Sequence, residues 1–80
     1  MPKLTPRAKK QLDKLPAPLS AKGRELIRRL DDEPRLGKKL LGPLKGKRSA
    51  RLGRSHRIIY EATGSYVVVL TVGPRRDVYR

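Results

Sequence analysis

The stretch SARLGRSHRIIYEATGSYVVVLTVGPRRDVYR, residues 49–80, decides the fold of this chain. Its apolar runs are separated by turn signals, as expected of a three-stranded antiparallel meander. Pairing residues 57–62 with 66–72 across Thr63-Gly64-Ser65 sets Ile58 roughly opposite Leu70 and returns Gly73 and Arg75 toward Ser55 and Arg57. Folding residues 49–52 onto the same strand through the bend at 53–55 brings Arg51 and Arg54 to that end too. Guanidinium groups from separate segments thus converge, and each planar fork matches the oxygens of a phosphate. That end of the sheet is the candidate anion site.

Upstream, two short helices are expected. Thr5 followed by Pro6 makes an N-cap and first helical residue, and Ala8, Leu12 and Leu15 recur at helical spacing until Pro16 and Pro18 interrupt. In the second helix Leu19, Gly23, Leu26, Ile27 and Leu30 form an apolar stripe, and Asp31-Asp32-Glu33-Pro34 closes the segment. Neither helix is long enough to be stable alone, so the stripes must cover a sheet face, for which Ile58, Tyr60, Val68 and Leu70 are the candidates. The fold class is therefore α+β: three to four strands, with two N-terminal helices on one face and at most a very short edge strand before Thr5. Residues 1–80 are read as a single domain.

Charge narrows the partners. The chain has 21 Lys plus Arg against 7 Asp plus Glu, a formal net charge of +14 over 80 residues. A chain of this size removes only about 60 to 65% of its unfolded surface from water, and such unopposed charge repels itself in the compact state. An anionic partner is expected. No acidic residue lies between Pro34 and Tyr60, whereas a surface that is merely solvated normally mixes its signs. With no cysteine and one histidine, a disulfide framework and a metal cage are not expected. The N-terminus lacks an apolar signal core, and the run 66–70 is far too short to cross a bilayer, so a cytoplasmic location without a membrane partner is expected.

Between the helices and the sheet, RLGKKLLGPLKGKR, residues 35–48, reads as a connecting loop with a short turn of helix. Its Gly-Lys pairs invite a phosphate-loop reading, which fails: Leu41 stands where the first glycine belongs and Arg48 where the Ser or Thr belongs. The glycines are turn formers and Lys45, Lys47 and Arg48 part of the basic surface.

The string LKGKRSARLGRSHRIIYEA, followed by VVVLTVGPRRDVYR, resembles the RelE/ParE superfamily of toxins from bacterial and archaeal toxin-antitoxin systems. The most specific parts are Leu44-Lys45-Gly46, Arg57-Ile58-Ile59-Tyr60, and Val72-Gly73 through Tyr79. The resemblance implies the same two-helix antiparallel fold and an antitoxin partner. RelE-like members cut messenger RNA, usually on the ribosome and without a metal or other cofactor. ParE-like members instead inhibit DNA gyrase. On the nuclease side, Arg57 and Arg75 match arginines that contact the scissile phosphate, Tyr79 matches a C-terminal tyrosine, and Arg51 lies near catalytic lysines of the family. His56-Arg57 is similar to the His-Arg pair of YoeB-like members, although Gly42 stands about where that group has a glutamate and its terminal His-Tyr pair is missing.

The chemistry so implied moves a phosphodiester to the neighbouring ribose 2′-hydroxyl. Cations count most in the transition state, where charge builds on the nonbridging oxygens. Proton transfer falls to Tyr79, if neighbouring cations acidify it, or to His56, a residue type suited to the task at neutral pH. Lys45, Lys47, Arg48, Arg54 and Arg76 are the candidate RNA-binding cations. Each site residue has an ordinary counterpart reading: His56 as a polar hairpin residue, Tyr60 as core, Tyr79 as a cap on the sheet, Arg57 and Arg75 as anchors for an acidic protein. A ribosome-dependent endoribonuclease, a gyrase inhibitor and a nonenzymatic RNA-binding module are the three functional expectations. The third suffers from a shortage of aromatic residues on which bases could stack.

Overall fold

Thr5 opens the first helix. Its hydroxyl accepts from the Ala8 N–H, and Pro6 supplies the preset first helical residue, so α1 runs Pro6–Lys14. The computed structural model describes residues 2–64 and 66–78. A two-residue strand, β1 (Lys3–Leu4), precedes α1, and α2 (Ala17–Asp32) follows it, with Pro18 accommodated in the first turn. The chain then forms β2 (Lys38–Lys39), a 3-10 turn (Gly42–Leu44), β3 (Arg48–Leu52), β4 (His56–Thr63), β5 (Tyr66–Pro74) and a single helical turn, α3 (Arg75–Val78). No helix among the described residues is long and apolar enough to cross a membrane.

The sheet has five strands in the order β1-β5-β4-β3-β2. The expected meander β3-β4-β5 is its centre, and it is extended at both edges. Lys38 and Lys39, within the expected loop, pair with Ser49 and Arg48, and β1 pairs in parallel with Val68 and Val69. The strand before Thr5 is the very short edge strand for which the sequence leaves room, whereas Lys38–Lys39 reads as loop because two lysines carry no strand signal. The helices cover one face, as expected. Ala8 and Leu12 of α1 and Ile27 and Leu30 of α2 are buried against Ala50, Leu52, Ile58, Tyr60, Val67, Val69 and Val72. Gly23 lets the helices approach: a Cβ there would lie 2.7 Å from Leu12 Cδ1.

The pairing of β4 with β5 departs from the expected register. Ile58 faces Val72, not Leu70. Tyr60 pairs with Val69 but Ile59 pairs with Thr71, so Leu70 is an extra residue, a β-bulge. The bulge explains why Val67, Val69 and Val72 enter the core in place of Val68 and Leu70. The N-terminal segment pins it. Thr5 donates its backbone N–H to the Val69 carbonyl at 3.0 Å and its hydroxyl to the Leu70 carbonyl at 3.1 Å, while the Val72 N–H donates to Gln11 Oε1 at 2.8 Å.

Tyr60 belongs to the core and locks the loop over the sheet. Its hydroxyl accepts from the Gly37 N–H at 2.7 Å and donates to the Pro34 carbonyl at 2.8 Å. Gly37 cannot carry a side chain there, since a Cβ would lie 2.8 Å from the Tyr60 ring and 2.9 Å from the Ser49 carbonyl oxygen.

Candidate functional site

Alternation along β4 sends Ile58 and Tyr60 into the helix-covered core, and so turns Arg57, Ile59 and Glu61 to the opposite face, where Ile59 is itself buried. Arg51 on β3 is the direct cross-strand partner of Arg57, and Gly73 on β5 is its partner on the other side. Two arginines therefore stand side by side on the face away from α1 and α2, near the end of the sheet. Arg57 is half-buried and donates from Nη1 to Ser49 Oγ at 3.4 Å, a long bond that partly fixes the guanidinium. Arg75, the first residue of α3, is anchored by its backbone N–H to the Ser55 carbonyl at 2.8 Å. Gly53, at φ +66°, makes the bend that holds Arg54 at the same end, where both Arg54 and Arg75 are exposed.

Like charges directly opposite each other across strands repel. The ion pairs among the described residues lie elsewhere, as Arg24–Asp13, Arg28–Glu25, Arg29–Glu33 and Lys47–Glu61. Among those residues none of Arg51, Arg54, Arg57 and Arg75 has a carboxylate partner. The arrangement can take up an anion and concentrate positive potential on its oxygens.

The other candidates are placed differently. His56 faces Leu52 and Pro74 in the ladder, on the helix side of β4, with Nδ1 3.0 Å from Ser55 Oγ. It is thus on the opposite face from Arg51 and Arg57. Tyr79 lies outside the described residues. Lys45, Lys47 and Arg48 sit toward the far end of β3, and two of them are engaged by the protein itself. Lys47 pairs with Glu61 at 3.6 Å, and Arg48 donates to the Gly37 carbonyl at 2.8 Å. Lys45 and, on α3, Arg76 are exposed. Ser49, buried and in contact with Arg57, was missed by the sequence reading. The signal was present, since Ser49 precedes Arg51 by two residues on one strand and so shares its face.

The family model described as the ParE toxin of type II toxin-antitoxin system, parDE, matches residues 3–79. No curated protein matches the sequence significantly. Among solved structures, the toxin-antitoxin complex RelBE2 from Mycobacterium tuberculosis aligns over 91% of this chain and 94% of its own at 36% identity, with a TM-score of 0.82. A YoeB/ParE toxin from Agrobacterium tumefaciens aligns over 94% of this chain and 99% of its own at 25% identity, with a TM-score of 0.80. The intact RelBE toxin-antitoxin complex of E. coli, at 21% identity over 90% of this chain and 92% of its own, shares the fold with a TM-score of 0.76. With nearly its whole length matched, the chain belongs to the ParE toxin family of type II toxin-antitoxin systems, within the RelE/ParE superfamily.

Proposed function

We propose that this toxin is a metal-independent endoribonuclease that cuts messenger RNA on the ribosome, in the cytoplasm, and that a cognate antitoxin restrains it by covering its basic surface. The observation that carries the reading is the cross-strand pair Arg51 and Arg57, unopposed by any carboxylate among the described residues and followed at the strand end by Arg75. Repulsion between the two arginines is relieved when a phosphodiester lies between them. In the reaction the ribose 2′-oxygen attacks the adjacent phosphorus, its proton passes to a base, and the bond to the 5′-oxygen breaks. That oxygen takes up a proton, leaving a cyclic phosphate and a free 5′-hydroxyl. Arg57 and Arg75 stabilise the growing charge on the nonbridging oxygens, a role worth on the order of 3 to 4 kcal/mol for one donor by comparison with oxyanion holes. Tyr79 is the remaining proton-transfer candidate on this reading, because His56 stands on the other face of β4.

A second reading, a ParE-like inhibitor of DNA gyrase, is favoured by the description of the matching family and by the separation of His56 from the arginines. It requires no acid/base set. Inducing the toxin and mapping message ends, alongside a gyrase supercoiling assay, separates the two. The nuclease reading expects new 5′-hydroxyl ends on translated messages with gyrase unaffected. Uncut messages with inhibited gyrase would replace it.

A further inference from the structure

On the helix side of the sheet, at the strand end that carries Arg75, α1 and the end of β5 enclose a cleft of about 230 Å³, walled by Arg7, Gln11, Lys14 and Leu15 on one side and by Val72, Gly73 and Pro74 on the other. We propose that this cleft, on the helix side of the strand end that carries Arg75, is a second phosphate subsite, holding a phosphate of the RNA strand beyond the one being cut; the proposal rests on the nuclease reading above.

The chemistry of the lining is that of an anion site. Residues 7, 11 and 14 fall on one face of α1 at helical spacing. Gln11 spends its carbonyl oxygen on the Val72 N–H at 2.8 Å, which leaves only its amide N–H groups to present. Arg7 and Lys14 are exposed, and neither has a carboxylate partner among the described residues. The three polar side chains therefore offer donors and two positive charges, and no acid lines the cleft among the described residues.

Arg7 also occupies the first turn of α1, where the helix macrodipole disfavours a cation and no acidic residue compensates it. Helix stability does not account for an arginine there. Position does. The cleft and the site meet at the end of β5: Gly73 is the ladder partner of Arg57, and Pro74, on the helix side, precedes Arg75. An RNA strand with its scissile phosphate at Arg57 and Arg75 continues past the sheet in two directions. On one side it meets Arg51 and Arg54, and on the other it rounds the strand end at Pro74 and Arg75 onto the helix side of the sheet, where it meets this cleft.

The test is the binding of a single-stranded RNA oligonucleotide, blocked with 2′-O-methyl groups, across a salt series. It compares the wild type, the double variant Arg7→Ala/Lys14→Ala, and a charge-matched control, Lys9→Ala/Lys10→Ala, whose residues are exposed elsewhere on α1. The cleft variant is expected to melt near the wild-type temperature and to bind about tenfold more weakly. The plot of log affinity against log salt should flatten by about 0.7 for the phosphate released, while the control stays near wild type. Equal losses in both variants, or no loss in the cleft variant while the wild type binds RNA and cuts messages, would overturn the subsite and leave the nuclease reading standing. If instead the cleft variant keeps its RNA affinity but loses affinity for a poly-glutamate peptide, the cleft serves an acidic protein segment and the proposal fails. A wild type that neither binds the oligonucleotide nor cuts messages overturns the nuclease reading and the subsite together.

Discussion

Arg57 sits half-buried between Arg51 and Gly73, and its only described side-chain bond is the long contact with Ser49. Removing either Arg51 or Arg57 takes away a like-charge neighbour, so Arg51→Ala and Arg57→Ala are expected to leave stability within about 0.5 to 1 kcal/mol of wild type, measured by urea titration. Adding inorganic phosphate should raise the wild-type melting temperature more than that of either variant, because only the wild type offers the paired site. Gly37 behaves in the opposite way. A methyl group there meets both the Tyr60 ring and the Ser49 carbonyl, so Gly37→Ala is expected to cost roughly 2 kcal/mol or more, within the range for overpacking. Tyr60→Phe leaves the buried Gly37 N–H without its acceptor, at a cost of about 1 to 3 kcal/mol. For a domain with about 0.05 to 0.15 kcal/mol of stability per residue, these are large fractions of the total. At this scale Tyr60 was legible as core from its alternation with Ile58. Its bond to Gly37, 23 residues earlier, was not, because no local pattern encodes such a partner.

Among the elements, α1, α2 and the meander β3-β4-β5 were legible because each carries a local signal: the Thr5-Pro6 cap, the stripe Gly23-Ile27-Leu30, and the turn at Gly64. The register of β5 was not. YVVVLTV, residues 66–72, is apolar at nearly every position, so alternation cannot say which side chains face the helices. Thr5 and Gln11 decide it by holding the bulge at Leu70 from a segment about sixty residues away. Gln11→Ala is accordingly expected to destabilise the fold by about 1 to 3 kcal/mol by leaving the Val72 N–H unpaired, and hydrogen exchange at that amide should accelerate beyond the global change. Leu12→Ala, in the core beneath Gly23, is expected to cost about 2 to 5 kcal/mol. The convergence of Arg51, Arg57 and Arg75 at one strand end was read from the order of the strands and their turns. The facing of His56 away from them also follows from alternation, since adjacent strand residues point to opposite faces.

For the whole molecule, the net charge of +14 is distributed so that the ion pairs among described residues lie on the helices or join Lys47 to Glu61, while the open end of the sheet stays positive. RNA affinity should therefore fall steeply with salt. A change of less than about threefold between roughly 50 and 200 mM salt would mean that few phosphates are neutralised. The same field suits an acidic antitoxin segment, and charge alone cannot tell the two partners apart. The reaction can. The most direct test is the single-turnover rate of message cleavage on programmed ribosomes by wild-type toxin and Arg57→Ala. The variant should melt within a few degrees of wild type, still bind its antitoxin, and cut roughly a hundredfold more slowly; a folded Arg57→Ala toxin that cleaves at the wild-type rate would contradict the account.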